Sequence, residues 1–216
     1  VVGVSISKAA PNFTVDGVSV LVGDTVVISP VLVIGDDNPS FSFVSSDVSV
    51  ASVDSSGVVT GEGSGSAVVT VTLAESANYN DLSKDVSVSV DKKDLVISAD
   101  SVVMTYGENK TLTATFMYGN ESVVVPVAVT INGKAIENIT SVGGQITLDN
   151  LNTWAVGTYT VNFTVNTAEF KGNKSVVVTV AKATPSFTVA DSMETPVPGA
   201  GRKEKHGLDR DRKSVV

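Results

Sequence analysis

The run Val4-Ser5-Ile6-Ser7-Lys8-Ala9-Ala10-Pro11-Asn12-Phe13-Thr14-Val15 returns as Val178-Thr179-Val180-Ala181-Lys182-Ala183-Thr184-Pro185-Ser186-Phe187-Thr188-Val189. A looser copy, Val88-Ser89-Val90-Asp91-Lys92 continuing to Ile97-Ser98, lies between them. Apolar residues take every second position before the lysine and again after it, the period of a strand with one face buried. Lys8, Lys92 and Lys182 thus mark one kind of junction, where the last strand of one unit ends and the first strand of the next begins. The spacings are 84 and 90 residues, the size of a small β-sandwich and about twice that of a propeller blade or most solenoid repeats.

A second pattern precedes each junction. Residues 67–73, a polar loop holding Tyr79, and residues 86–90 correspond to residues 158–165, a loop holding Phe170, and residues 176–180. Both read as closing hairpins. Working outward, the first unit offers seven strand candidates at 18–22, 25–34, 40–44, 50–53, 58–60, 67–73 and 86–90. Turn residues that tolerate positive φ or bond their own backbone separate them: Val22-Gly23-Asp24, Gly35-Asp36-Asp37-Asn38-Pro39, Asp54-Ser55-Ser56-Gly57 and Gly61-Glu62-Gly63-Ser64-Gly65. The second unit offers seven more, at 95–98, 110–117, 122–131, 135–139, 145–148, 158–165 and 174–180. Asn132-Gly133 predicts a type I′ hairpin turn. Pro126, inside the longest run, predicts an edge strand or a bulge. Trp154 and Tyr159 flank Gly157 and are expected to serve core and corner packing.

Composition agrees. Val, Ser and Thr dominate while strong helix formers are sparse, which favours strands. With no cysteine, neither a disulfide nor a thiolate metal site is available, so each unit must hold itself by packing. The net charge is −8, and residues 201–216 hold six Lys or Arg against three Asp or Glu, which leaves the preceding chain at −11. An acidic body repels phosphate backbones and anionic lipid, so nucleic acid is not an expected partner. Membrane insertion is not expected either, since no stretch approaches the ~18 apolar residues of a membrane helix. Val1-Val2-Gly3-Val4-Ser5 has no starting Met, basic region or apolar core of a signal peptide, so a secretion signal is expected upstream and the chain reads as a fragment.

The stretch Ser45-Ser46-Asp47-Val48-Ser49-Val50-Ala51-Ser52-Val53-Asp54-Ser55-Ser56-Gly57-Val58-Val59-Thr60-Gly61, followed by Gly63-Ser64-Gly65-Ser66-Ala67-Val68-Val69-Thr70-Val71, resembles the bacterial immunoglobulin-like group 2 domain. The resemblance covers residues 8–91, with Phe43-Val44 where that family often has a Trp. Gly157-Thr158-Tyr159-Thr160-Val161-Asn162-Phe163-Thr164-Val165 looks like the G-T-Y-T-V strand of bacterial and archaeal Ig-like repeats in adhesin-like proteins. These resemblances imply stalk or adhesion modules of the kind found in invasin, intimin-like and methanogen surface proteins, where tandem sandwiches hold a binding tip away from the envelope.

Chemistry is thinly represented. The only histidine, His206, lies in the basic tail, so no hydrolytic triad can be assembled in the body. The acids sit in turns, without an apolar pocket to raise one carboxyl above another. Asp36, Asp37 and Asn38, joined by Asp24 or Asp81, offer hard oxygen ligands for Ca²⁺, but their spacing matches no calcium loop, and they read first as a solvated turn whose Asx side chains bond their own backbone. Lys8, Lys92 or Lys182 with an Asn of a last strand would suit an autocatalytic isopeptide bond, as in some Gram-positive pilins; at the junctions these lysines read as solvated. Six N-x-S/T sequons, at Asn12, Asn109, Asn120, Asn138, Asn162 and Asn173, offer N-glycosylation acceptors in a secreted context. Asn162 faces outward only if Val161, Phe163 and Val165 face the core. Gly61-Glu62-Gly63-Ser64-Gly65 lacks the Lys-Ser/Thr ending and following helix of a phosphate loop and reads as a β-turn.

The expectation is an all-β chain of two tandem immunoglobulin-like β-sandwich domains with a disordered C-terminal tail. Residues 1–7 end a preceding repeat, 8–91 and 92–183 form the two domains, 184–200 begin a truncated third repeat, and 201–216 are a disordered, non-native tail whose ending at 209–216 resembles translated adapter sequence. The expected role is a non-catalytic spacer of an extracellular, cell-surface, adhesin-like protein, without cofactor, whose partners are neighbouring Ig-like repeats. The alternatives are a module binding a host or cell-wall glycan or protein, and an accessory region of a secreted cell-wall hydrolase.

Overall fold

Valines two apart, flanked by Ser and Thr, leave a backbone that can bury one face only by pairing into a sheet, and that is how the chain is organised. The structure, a computed structural model, describes residues 3–186; the expected third repeat from residue 187 on and the tail at 201–216 lie outside the described residues. Contacts divide the chain into Val1–Ala183 and Thr184–Val216, and everything below concerns the first of these units.

The first half of that unit holds β1 (Asn12–Thr14), β2 (Val18–Leu21), β3 (Thr25–Val27), β4 (Val31–Ile34), β5 (Phe41–Ser45), β6 (Ala51–Val53), β7 (Val58–Gly61), β8 (Gly65–Leu73) and β9 (Leu82–Asp91). Sheet β2-β9-β8-β5 faces sheet β3-β7-β6, and β1 pairs with β4. One core fills the space between, including Phe13, Ile28, Val59, Val69, Val71, Val88 and Val90. The second half holds β10 (Lys93–Asp94), β11 (Val96–Ala99), β12 (Val102–Thr105), β13 (Leu112–Tyr118), β14 (Glu121–Ser122), β15 (Pro126–Ile131), β16 (Lys134–Thr140), β17 (Gln145–Leu148), β18 (Gly157–Asn166) and β19 (Phe170–Ala181). There β10-β19-β18-β15-β16, joined by β12, faces β11-β13 with β14 and β17. Its separate core includes Leu112, Phe116, Val127, Leu151, Val161, Phe163 and Val178. The fold is all-β, two sandwiches in tandem; among the described residues the only helical element is a 3₁₀ turn at Leu151–Thr153.

Both closing hairpins form as expected. β8 pairs antiparallel with β9 from Gly65 opposite Val90 to Leu73 opposite Leu82. β18 pairs with β19 from Gly157 opposite Val180 to Asn166 opposite Lys171. In each sandwich a short early strand runs parallel to the closing strand on its other side, β2 along β9 and β12 along β19. The I′ turn also forms, with φ of 49° at Asn132 and 79° at Gly133, and Ile131 faces Lys134 across it. Tyr159 makes the expected corner: its hydroxyl donates to the Ala155 carbonyl at 2.9 Å and its ring meets Trp154 edge-on at 4.8 Å.

Elsewhere the ladders depart from the sequence reading, for local reasons. The run at 25–34 is two strands because Pro30 has no N–H to donate: β3 pairs with β7, and after the proline β4 pairs with β1 instead. The run at 122–131 is also broken. Val123 and Val125 leave the ladder before Pro126, and buried Ser141 serves their backbone, accepting from the Val125 N–H at 2.9 Å and donating to the Val123 carbonyl at 3.2 Å. The bulge expected from Pro126 falls between Val129 and Thr130, and β15 is an interior strand with the proline at its start. β10 and β12 were not foreseen as strands, being too short to show a period.

Phe13 is fully buried and meets Phe41 edge-on at 5.3 Å. Phe13→Ala should cost the first sandwich about 3–5 kcal/mol. Chemical denaturation followed by amide NMR should show this loss in β2, β8 and β9, with the midpoint for β13, β18 and β19 unchanged.

Candidate functional site

The residues that do most to connect the sandwiches lie where one strand ends and the next begins. β9 ends at Asp91 and β10 begins at Lys93, so Lys92 alone intervenes. The Val22 N–H donates to the Asp91 carbonyl at 2.9 Å, and the Lys93 N–H donates to the Glu169 carbonyl at 2.8 Å, so the backbone is tied into a different sandwich on each side of the joint. The Lys93 ammonium lies 3.3 Å from Asp24 of the first sandwich and 3.1 Å from Glu169 of the second. It also sits 5.5 Å from the centre of the Tyr118 ring. Its side chain is only 12% exposed. The Glu169 carboxylate, and after it Asp24, raise the Lys93 pKa above the ordinary lysine value against the opposing effect of burial. Its ionic contribution is therefore complete below that ordinary value and is lost only as pH rises through the raised one.

The loops beside the junctions repeat in detail. Ala9 pairs in parallel with Tyr79, as Lys93 does with Phe170. Ser76 and Thr167 make the same turn, their N–H groups donating to the carbonyls of Tyr79 and Phe170 and their hydroxyls accepting from the amides of those residues. Lys8 pairs with Glu75, as Lys92 donates to Asn166 at 2.6 Å. The turns at the far ends match as well: φ is 80° at Gly23 and 84° at Gly107, followed by Asp24 and Glu108. Lys93, Tyr118 and Glu169 were not singled out in the sequence. The available signal was the doublet Lys92-Lys93, where the other junctions have Lys8-Ala9 and Lys182-Ala183.

The other candidates are dispersed. Asp36 is half-buried and accepts from the Asn78 amide at 3.3 Å, Asp37, Asn38 and Asp81 are exposed, and Asp24 is engaged by Lys93. Among the described residues no group of three or more histidine or carboxylate side chains converges. A shallow cleft lined by Gly35, Asp36, Asn38, Leu73, Glu75 and Tyr79 opens beside the Lys8 junction. Asn12, Asn109, Asn120 and Asn173 are exposed, and Asn12 accepts from Lys84 at 3.3 Å. Asn138 lies in β16. Val161, Phe163 and Val165 are buried, so Asn162 is on the outer face as that alternation requires; its side chain bridges Thr130 and Ser175 across three strands.

The carboxylates of the repeat signature have structural work. Asp47 Oδ1 accepts from the Ser49 hydroxyl at 2.6 Å and the Ser49 N–H at 2.9 Å. Asp54 Oδ1 accepts from the Ser56 hydroxyl and N–H, both at 2.8 Å, and from the Val58 N–H at 3.0 Å. These bonds, the serine hydroxyls foremost, hold both carboxyls below the ordinary aspartate range. Gly57 completes the turn at φ 84°, where a Cβ would fall 2.8 Å from the Ile28 carbonyl oxygen.

Among known proteins, the family model of the intimin immunoglobulin-like domain matches residues 35–75, within the stretch that resembles a bacterial Ig-like domain. No curated protein sequence matches the chain. Solved structures with a related arrangement include the titin domains z1z2 in complex with telethonin, at 16% identity and a TM-score of 0.44, covering 83% of this chain and all of that one. Domains 4 and 5 of the S-layer protein SbsC share 19% identity at a TM-score of 0.33, covering 80% of this chain and all of theirs. The fibronectin(III)-like modules of Clostridium thermocellum CbhA share 14% at a TM-score of 0.33, covering 79% and 95%. All three superpose below a TM-score of 0.5, and the assignment of fold rests on the strand pairing described above.

Because the folded pKa values of Asp47 and Asp54 are depressed, their stabilisation is present above the unfolded aspartate pKa and is lost as pH falls through the folded values. Urea midpoints measured from pH 6 downward should fall for the first sandwich, and Asp54→Asn should flatten part of that fall. At the joint, Lys93→Ala should broaden the distance distribution between spin labels placed at Ser55 and Asn173, and salt should broaden that of the wild type in the same direction.

Proposed function

We propose that the chain is a load-bearing spacer in an extracellular surface protein of the adhesin type, with residues 8–91 and 92–183 as consecutive modules and no catalytic role. The observation that carries this reading is the parallel pairing of β2 with β9 and of β12 with β19, four residue pairs in each sandwich. Tension along the chain enters beside the early strand and leaves by the closing strand. A parallel pair between them is loaded in shear, all its hydrogen bonds together, instead of being unzipped one at a time. A spacer needs that resistance, and a short clamped joint transmits the load without coiling. The match to the intimin Ig-like domain supports a surface context.

Neighbouring repeats of the same chain are the proposed partners, through junctions of the Lys93 type. A cell-surface location would also suit the exposed sequon residues Asn12, Asn109, Asn120 and Asn173 as glycan acceptors, outside both cores.

Single-molecule pulling should give two force peaks, each releasing about 30 nm for ~85–90 residues at ~3.5 Å per residue. The Tyr106 N–H donates to the Ala181 carbonyl at 2.8 Å, which by alternation turns the N–H of Val102 toward β19. Val102→Pro should therefore lower one of the two peak forces and leave the other unchanged. Peaks insensitive to that substitution would remove the mechanical argument.

A further inference from the structure

We propose that β5 is a docking edge, and that two copies of this chain join there by antiparallel pairing of β5 with β5 about a two-fold axis at Phe43. β5 ends its sheet, with β8 on one side and no strand on the other. The Ala74 N–H donates to the Ser40 carbonyl at 2.9 Å and the Ser46 N–H donates to the Val68 carbonyl at 2.8 Å. Bonding alternates along an antiparallel ladder, so Ser42 and Val44 also face β8, and the N–H and C=O groups of Phe41, Phe43 and Ser45 point away from it. Among the described residues those groups have no backbone partner.

The second sandwich shows what such an edge accepts. β8 and β18 hold the same place in their closing hairpins, and Phe43 opposite Val71 corresponds to Val129 opposite Phe163. There β16 lies along the outer edge of β15. Val127 and Val129 are exposed by 0 and 1%, whereas Phe41 and Phe43, in the same core-facing phase, are only half-buried. The first sandwich has no strand at the position of β16, so its core is left open along β5. On the outer face Val44 is 66% exposed, beside its diagonal neighbour Val68 at 40%. Edge strands are ordinarily blunted by charge, proline or a bulge. β16 begins with Lys134 and its ladder is bulged, while β5 has no charge, no proline and an unbroken register.

A second copy fits because the strand complements itself. With Phe43 on the axis, its free groups meet those of Phe43 in the other copy and the groups of Phe41 meet those of Ser45, each pair exchanging both bonds. Side chains then match in size, Ser42 opposite Val44 on the outer face and Phe41 opposite Ser45 on the inner one. Asp47 of one copy comes toward Pro39 of the other instead of toward an acid. Five residues a side bury less than the ~1,200 Å² of a stable complex, so the dimer is weak, with a dissociation constant on the order of 0.1 mM. This goes beyond the spacer reading, which concerns load along one chain and not the pairing of chains side by side.

Sedimentation and amide exchange of the full chain between about 10 µM and 1 mM test the proposal. The wild type should pass from monomer to dimer, and exchange of the Phe43 amide should slow about fourfold while that of Val44 stays unchanged. Val44→Lys adds a charge at an exposed position, and Ser45→Pro removes an edge donor without touching the ladder to β8; each should weaken the dimer at least about tenfold at an unchanged thermal midpoint. The chain has no cysteine. Ser42→Cys and Val44→Cys copies mixed in a glutathione buffer should therefore give the mixed disulfide in at least about tenfold excess over either self-linked product, because only that pair is closely opposed. A chain monomeric over the whole range would overturn the proposal, as would a dimer indifferent to both edge substitutions or a statistical mixture of disulfides. Any of these failures would leave the two force peaks of the spacer reading untouched.

Discussion

In β8 and β9, and again in β18 and β19, side chains alternate between core and solvent with a period that cannot slip. A shift of one residue would carry Val69, Val71, Val86, Val88 and Val90 into water and bring Thr70, Thr72, Ser87 and Ser89 inside. Burial of each valine contributes about 1.5–3 kcal/mol, and the exchange would forfeit that while adding unpaired hydroxyls to the core. The remaining strands adapt to this fixed pair. β2 and β12 lie parallel along the outer edge of the closing strand, β5 and β15 lie along the other side of the hairpin, and the second sheet covers the apolar face.

The joint is where the two sandwiches affect one another. The cores are separate, but one lysine side chain is shared among a carboxylate of the first sandwich and a carboxylate and an aromatic ring of the second. An ion pair on an open surface contributes little. Lys93 is shielded, has two acidic partners, and follows a connector of one residue, so its geometry is constrained from both sides. Ala9, at the same register, meets its neighbouring loop through the backbone alone, and the lysine contact there falls to Lys8 and Glu75. The junctions thus share a backbone plan and differ in side chains.

The fold was largely legible in the sequence because its signals are local and redundant. Alternation marked the long strands, Asn132-Gly133 marked a turn, and the lysine junctions gave the spacing of the units. What was missed depended on proline chemistry or on distance. Pro30 and Pro126 divide runs that look continuous by hydropathy, and the rescue of the second break comes from Ser141, sixteen positions beyond the Val125 N–H it accepts from. β10 and β12 are too short to show a period and exist because a neighbouring strand offers an edge. The joint was illegible for a related reason. Asp24 and Glu169 are separated by most of the chain, and only the fold brings both to Lys93. The acidic turn at residues 36–38 attracted notice by composition, yet Asp36 there is turned to Asn78 of the closing hairpin's loop.

The central claim is that two independently cored sandwiches are held in one fixed relation by the Lys93 joint. Residual dipolar couplings of backbone amides in a weakly aligned sample test it directly. Couplings from β2, β8 and β9 and those from β13, β18 and β19 should fit a single alignment tensor in low salt. Two tensors of different magnitude and orientation would contradict the account, because they would mean that the sandwiches tumble as beads on a free linker.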